Sequence, residues 1–198
     1  MFADNTSFAL FIIEVLGLLA IPGPTNSLLF ISGVSRGFQA SLRLILGEVG
    51  AYLTSISLLL FALNPAISAY PTAPQLLRIA CSIYLVYLAV TLWRSGGPVA
   101  QVSRPITFRR VLLTTLMNPK NLIFAFGIFP LPSAGFSGQL PYLAGFSAIC
   151  IAVACGWIAT GALLHSKFPQ TIPLPWLYRG EALLLTGFAI VTFASAYY

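Results

Sequence analysis

Long apolar runs separated by short polar connections cover most of the chain. Six of these runs are candidate membrane spans, at residues 7–33, 41–63, 73–93, 111–130, 141–163 and 178–197. A helix needs about 20 apolar residues to cross a hydrocarbon core of about 30 Å, and each run is near or above that length. The pattern predicts an all-α integral membrane protein with six transmembrane helices in a single membrane domain, residues 1–198.

The composition points to the same environment. Of the 198 residues, 58% are hydrophobic and 7% are charged, and the mean hydropathy is +0.92. Soluble domains carry about 25% charged residues, so this chain lacks the residues for a water-facing surface. The net charge of +6 is interpreted as loop charge that orients a membrane protein, and no nucleic-acid partner is expected.

Neither the cysteines nor the N-terminal run suggests another class of protein. Cys81, Cys150 and Cys155 lie in apolar runs without CxxC spacing or a neighbouring histidine. The sequence therefore predicts no metal site and no cofactor. The first run is preceded by Asp4 and by no Lys or Arg, and no A-x-A site follows it. We expect a retained helix rather than a cleaved signal peptide.

The charge of the connections alternates along the chain. Basic residues fall in the first, third and fifth connections: Arg36, Arg43, Arg94, Arg104, Arg109, Arg110, Lys167 and Arg179. The second and fourth connections, residues 64–74 and 130–141, contain no Lys or Arg. By the positive-inside rule the odd-numbered connections are cytoplasmic, which predicts a multi-pass membrane protein with both termini outside the cytoplasm. Arg78 is a charge that departs from this pattern.

Two helix-breaking motifs interrupt the first and fourth runs. The first is "AIPGPTN" at residues 20–26, and the second is "NPKN" at residues 118–121. A Pro and an Asn recur 95 positions later, from 24 to 119 and from 26 to 121. Proline removes a backbone donor and clashes with the preceding turn, so both helices should be broken. The match predicts two related halves, about 1–97 and 98–198, which with three spans each would form a 3+3 inverted repeat.

The two breaks together are the predicted substrate site. Unpaired backbone groups are tolerated at membrane depth only where they face protein or a water-filled cavity. The exposed helix ends favour a carboxylate or an ammonium group, and an amino acid carries both. The predicted substrate-binding residues are Pro22, Gly23, Pro24, Asn26, Asn118, Pro119, Lys120 and Asn121, with Tyr52 of the second span. The alternative is a pair of kinks that serve helix packing.

Charged side chains inside the spans are candidates for function, and we single out Glu48, Glu14 and Lys120. Glu48 lies in the second span near Gly47 and Gly50, which we expect to allow close helix approach. As an intramembrane carboxylate it is predicted to carry protons, and the alternative is a structural hydrogen bond or ion pair, for which Lys120 is a candidate partner. Glu14, in the first span, either shares in proton coupling or reaches the interface. Lys120 either snorkels, binds a substrate carboxylate or pairs with Glu48.

These motifs and their surroundings resemble the lysine exporter (LysE/RhtB) family of bacterial amino-acid exporters over nearly the whole chain. The similar segments are "PGPTN" (22–26), "SRGFQASLRLILGEVG" (35–50), "IYLVYLAVTLW" (83–93), "FRRVLLTTLMNPKNLIFAFGIFP" (108–130) and "WLYRGEALLLTGFAI" (176–190). The chain departs from the family's pattern at "RIACS" (78–82), where the family usually places a glycine, and at Glu14 and Glu181.

The resemblance implies a six-span exporter of amino acids or their derivatives that lies in the bacterial cytoplasmic (inner) membrane and runs on the proton gradient. Its partners would be a small amino-acid-like substrate, protons and membrane lipid, and a homo-oligomer is left open. An enzyme is not expected, because His165 is the only histidine and lies at a loop edge, which leaves Ser or Cys nucleophiles without a base. The alternative function is a non-transporting membrane subunit or a channel.

Overall fold

The computed structural model of the protein describes residues 5–63, 70, 72–94, 106–118, 120–130 and 135–167, with nine further positions between 179 and 194. Every regular element in these residues is a helix, which confirms the predicted all-α class. The helices are α1 Asn5–Ala20, α2 Pro24–Arg36, α3 Phe38–Ser41, α4 Arg43–Leu58, α5 Ala73–Arg94, α6 Phe108–Leu116, α7 Lys120–Ile123 and α8 Gly135–Lys167. Two π-helical turns, Leu59–Leu63 and Phe124–Ile128, extend α4 and α7.

The chain folds into two compact units. The first consists of Met1–Phe61 and Ile106–Pro169, and the second of Ala62–Pro105 and Gln170–Tyr198. Neither unit is continuous in sequence, and each takes residues from both of the predicted halves. All the residues predicted for substrate and proton binding belong to the first unit.

The first helix pair bends where the sequence predicts a break. α1 ends at Ala20 and α2 begins at Pro24, and the helix axis bends by 61° between them. Pro24 occupies the start of α2, where its missing N–H would have no helical partner in any case. Gly23 before it is extended, with φ −164° and ψ 169°. The bend therefore follows from the Pro-Gly-Pro sequence itself.

The second bent pair is formed by α6 and α7, between which the helix axis bends by 52°. Thr107 caps the start of α6 by accepting a hydrogen bond from the N–H of Arg110 at 3.2 Å. α6 ends at Leu116, and Asn118 Oδ1 then accepts from the N–H of Lys120 at 3.1 Å. The asparagine thus satisfies a backbone donor at the start of α7, as capping residues do.

α2 and α8 cross in close contact within the first unit. Gly33 of α2 lies against the carbonyl group of Ile158, and Gly161 of α8 lies against the carbonyl group of Phe30. A Cβ atom at either glycine would overlap the facing carbonyl oxygen. Small residues let helix backbones approach closely in membranes. The crossing holds α2, and with it the first break, against a helix of 33 residues.

Two helical segments are long and apolar enough to cross a membrane, Phe38–Ala62 and Gly135–Leu164. Each bent pair passes the same test if its two arms form one span, so the described residues contain two to four candidate spans. α5 covers the predicted third span, whereas the predicted sixth span, 178–197, lies mostly outside the described residues. Six spans and the inverted repeat therefore stay predictions.

In the second unit, the guanidinium group of Arg179 lies 5.8 Å from the ring centre of Trp93, a distance at which a cation attracts an aromatic face. This contact joins the end of α5 to the start of the predicted sixth span. The side chain of Arg78, whose charge departs from the loop pattern, lies outside the described residues.

Candidate functional site

The two breaks meet inside the first unit. The hydroxyl groups of Thr25 on α2 and Thr115 on α6 are 3.0 Å apart, and Asn118 Nδ2 donates to Thr25 Oγ1 at 3.3 Å. The Thr115 hydroxyl donates to the carbonyl oxygen of Val111 at 2.9 Å. Since a hydroxyl group has one proton, Thr25 is then the donor in its bond with Thr115. Residues of two distant motifs thus share one buried polar cluster.

Asn26 caps the end of α1. Its Nδ2 atom donates to the carbonyl oxygens of Leu19 and Ile21, both at 2.8 Å. The last carbonyl groups of a helix have no partner within the helix, and in a buried position they need one from elsewhere. The amide group of Asn26 supplies that partner, so both of its N–H donors bond the backbone at the end of α1.

Asn121 repeats this arrangement at the second break. Its Nδ2 atom donates to the carbonyl oxygens of Thr115 and Leu116, at 2.7 and 3.1 Å, at the end of α6. The Oδ1 atom of Asn121 is buried and has no hydrogen-bond partner among the described residues. The two matched asparagines of the sequence are therefore matched in their contacts as well.

Lys120 extends from the second break to the first. Its ammonium group donates to the carbonyl oxygen of Ile21 at 2.7 Å, and the residue is only 2% exposed. Gly23 lies directly against it, because a Cβ atom at position 23 would stand 3.1 Å from Nζ and 3.3 Å from Cε. The glycine of the first motif thus leaves room for the ammonium group at the end of α1, where the partial negative charge of the helix dipole favours a cation.

Glu48, on α4, is the buried acidic residue of the cluster. It is 1% exposed, and its Oε2 atom has no hydrogen-bond partner among the described residues. Lys120 lies close enough for the two charges to interact. Gly47 packs on the ring and carbonyl group of Phe108, whereas a Cβ atom added at Gly50 would meet no atom of the described residues within 4 Å. The expectation of close helix approach is right for Gly47 and wrong for Gly50, which faces outward.

Tyr52, one turn after Glu48 on α4, joins the polar cluster to a group of aromatic rings. Its ring packs edge-on against Phe124 at 5.7 Å and Phe146 at 5.5 Å between centroids, and these two rings are 4.9 Å apart. Asn118 Nδ2 donates to the Tyr52 hydroxyl at 3.4 Å. Edge-to-face packing of this kind fixes the orientation of the rings. The cluster therefore has a rigid apolar wall on the side of α4 and α8.

The structure gathers most of the predicted site residues and leaves Glu14 apart. Pro22 and Pro24 flank the first break, and the other predicted residues of the breaks and of α4 form or adjoin the polar cluster. Glu14 lies on the exposed face of α1 and makes no described contact with the cluster. Pro119 lies outside the described residues. In the described part of the chain, no group of three or more potential metal ligands occurs.

Sequence reasoning missed four residues that the structure brings to the cluster: Thr25, Thr115, Phe124 and Phe146. Thr25 stands beside Asn26 in the first motif, so a polar residue next to a break was an available signal. The two phenylalanines gave none, because the chain has 15 phenylalanines, most of them in apolar runs where every position looks alike.

A family model described as LysE type translocator matches residues 16–195. The chain belongs to this family. LysE type translocators are transporters and not enzymes, and proteins similar to this chain are named as membrane proteins. The resemblance seen in the motifs of this translocator is therefore confirmed, and the chain is a multi-pass membrane protein of a transporter family.

Three curated proteins illustrate what this LysE type translocator is similar to. An uncharacterized membrane protein of Pseudomonas aeruginosa is 30% identical over 143 residues, 63% of this chain and 62% of that protein. An uncharacterized membrane protein of Vibrio cholerae is 27% identical over 114 residues, 54% and 55% of the two chains. The homoserine/homoserine lactone efflux protein of Salmonella typhimurium is 28% identical over 105 residues, 50% and 51%.

The chain spans only about half to three fifths of the length of these relatives, from 51% to 62%. No solved structure matches the chain.

Proposed function

We propose that this LysE type translocator exports amino acids or amino-acid derivatives across the bacterial cytoplasmic membrane in exchange for protons. One observation carries the proposal: two helix breaks from distant parts of the chain meet in a buried polar cluster that contains Glu48 and Lys120. A charge at the centre of a membrane costs about 2.5–3.5 kcal/mol on insertion scales, so charged groups are retained there mainly for function.

The substrate class follows from the charges of the cluster. The ammonium group of Lys120 can attract a carboxylate, and the carbonyl groups at the end of α1 can attract an ammonium group. An amino acid presents both. The similar protein of Salmonella typhimurium is named for the efflux of homoserine and homoserine lactone, and both compounds carry an amino group beside a carbonyl carbon. Small amino acids and their derivatives are therefore the proposed cargo.

Glu48 is the proposed proton site. Of the two acidic side chains that the structure describes, Glu48 is buried in the cluster and Glu14 is exposed. Protonation of Glu48 would cancel its charge and with it the attraction to Lys120. Proton binding would in this way alter the charge balance at the first break. Glu14 stays a second predicted proton residue, one that lies outside the cluster.

The 3+3 inverted repeat, with broken first and fourth spans, is part of the proposal. It is supported by the matched caps, since Asn26 and Asn121 each bond a carbonyl group five residues earlier, at Ile21 and Leu116. It is also supported by the composition of the two units, each of which takes residues from both halves. Inverted repeats place substrate sites where their broken helices meet.

Transport by the purified protein in proteoliposomes tests the proposed function. Radiolabelled amino acids, with L-homoserine among them, would be offered to vesicles with an imposed pH gradient. We expect at least one of them to accumulate above its external concentration and to leak back when the gradient is dissipated. A channel would only equilibrate the solute, and a non-transporting subunit would leave the uptake at the level of empty vesicles. Either result would refute the proposal.

The orientation has its own test. From the positions of the basic residues we expect the odd-numbered connections to be cytoplasmic and both termini to lie outside. Single cysteines introduced at the N-terminal ends of the first and fourth spans should react with an impermeant thiol reagent from opposite sides of the membrane. Labelling of both from the same side would contradict the inverted repeat.

A further inference from the structure

The carbonyl oxygen of Ile21 holds two donors at the first break. One is the amide group of Asn26 at 2.8 Å, and the other is the ammonium group of Lys120 at 2.7 Å. The ammonium group comes from a residue 99 positions away. The ammonium group lies at the end of α1, where the helix dipole concentrates partial negative charge. A cation carried on α7 thus occupies the end of a helix to which it does not belong.

The second break provides an internal comparison. Its equivalent carbonyl group, that of Leu116, accepts from its matching asparagine and from the neutral hydroxyl group of Ser55 at the long distance of 3.5 Å. The residue 95 positions before Lys120 is Thr25, whose hydroxyl group bonds Thr115 instead. The two breaks therefore share their asparagine caps and differ in the cation, which is present at the first break. Capping alone does not require that cation.

We propose that the carbonyl group of Ile21 is the subsite for the ammonium group of the transported amino acid, and that Lys120 occupies this subsite when no substrate is bound. The proposal rests on the amino-acid transport proposed above. Both occupants are ammonium groups with three N–H donors. Only one fits at a time, because the end of the lysine fills the space beside Gly23, to about 3.1 Å from an added Cβ atom. The substrate must therefore displace Lys120.

Displacement explains how one site can select molecules that carry both charges. When the substrate's ammonium group takes the Ile21 carbonyl, the flexible stem of Lys120 lets its charge move to the substrate's carboxylate or toward Glu48, with which it already interacts. The end of α1 exchanges one ammonium group for another and is never left without a cation. An amine without a carboxylate would displace the lysine but give it no new partner of opposite charge.

Thermal unfolding of the purified full chain in detergent tests the subsite itself. Lys120→Met removes the ammonium group from the subsite. Lys120→Gln keeps a neutral donor there and is the second variant, to be used if Lys120→Met folds poorly. Propylammonium chloride should raise the Tm of Lys120→Met by about 2–4 °C at several times its Kd, and that of Lys120→Gln by less. It should leave the wild type unchanged. Tetramethylammonium chloride, a cation without N–H donors, should stabilise neither variant.

Ser55→Ala is the matched control, because it removes a neutral donor from the second break only, and it should respond as the wild type does. Equal effects of the two salts on both Lys120 variants would overturn the proposal.

The link to the substrate is tested by direct binding of L-homoserine lactone, which has an ammonium group and no carboxylate, and of 4-hydroxybutyrate, which has the reverse. Removal of the competing lysine should tighten lactone binding by roughly tenfold in Lys120→Met, on the scale of one lost charged hydrogen bond. Binding of 4-hydroxybutyrate should weaken. A lactone affinity that is no higher in the variant than in the wild type overturns the proposal.

Transport by the wild type decides the proposed function separately. If propylammonium selectively stabilises Lys120→Met but the wild type moves no amino acid, the proposed transport is refuted and the ammonium subsite stands. Amino-acid transport without that selective stabilisation would refute the subsite and keep transport.

Discussion

The hydroxyl groups of Thr25 and Thr115 meet at 3.0 Å although the residues are 90 positions apart in the chain. Thr25 is the second residue of α2, after the first break, and Thr115 is the last but one of α6, before the second. Both side chains are buried. The bond therefore fixes the distance between the two broken helices at the point where their backbones are irregular.

Replacement of Thr25 by Val removes this hydroxyl group and keeps the shape of the side chain. We expect Thr25→Val to lower the free energy of unfolding by about 1 kcal/mol. In a double-mutant cycle with Thr115→Val, the coupling should be about 0.6 kcal/mol, the mean for bonds between helices in a membrane. Unfolding in mixed detergent measures both. Ser147→Ala, which removes a hydroxyl bond within α8 alone, is the control. Strictly additive effects of the two threonine changes would contradict the bond.

The asparagine caps predict a second result. Asn26→Asp and Asn121→Asp keep the size of the side chain and remove the N–H donors from four carbonyl groups in all. The carbonyl oxygens of Ile21 and Leu116 keep their second donors, Lys120 and Ser55, whereas those of Leu19 and Thr115 lose their side-chain donor. We therefore expect a loss of about 1–3 kcal/mol for each change in the same unfolding assay.

Asn118→Asp is the matched control for these caps. Its Oδ1 atom accepts the N–H of Lys120 at 3.1 Å, a bond that aspartate can also make, and its own N–H bonds are longer, at 3.3 and 3.4 Å. The control should therefore be destabilised less than either cap variant. Equal stability of Asn26→Asp and the wild type would show that the cap is dispensable.

The glycine crossing of α2 and α8 predicts a third result. Gly33→Ala and Gly161→Ala each place a Cβ atom on a facing carbonyl oxygen, so the helices must separate. We expect each to lose about 1–3 kcal/mol of stability, as other overpacked sites do. Gly156→Ala, on the same helix with no atom within 4 Å of its Cβ, should be neutral or stabilising by up to about 1 kcal/mol. If Gly161→Ala matched Gly156→Ala, the crossing would be looser than the structure has it.

The features that could be predicted from the sequence depend on short-range physics. Pro24 restricts its own backbone and lacks an N–H donor, so a few residues determine the first break. The structure has this break at the expected place. The helical class follows in the same way from the length of the apolar runs. Membership of the family followed from motifs that span nearly the whole chain.

The features that could not be predicted depend on which side of each helix is packed. Glu14 and Glu48 both interrupt apolar runs, and nothing near them in sequence tells that one is exposed and the other buried. The capping role of Asn26 was not predictable either. Its amide group satisfies backbone carbonyl groups at the break, a contact that depends on the three-dimensional course of the chain there, and its part in substrate binding stays a prediction.

Glu48→Gln tests the proton role most directly, because glutamine has the shape of a protonated glutamate and cannot release a proton. In proteoliposomes we expect accumulation driven by a pH gradient to fall at least roughly tenfold, since one exchange partner is lost. Exchange of labelled for unlabelled substrate without a gradient should persist, because it needs no change of protonation. Glu48→Asp keeps an ionisable group and should retain part of the coupled activity. If Glu48→Gln still accumulated substrate at the wild-type rate, protons would have to bind elsewhere, and Glu14 would be the next residue to replace.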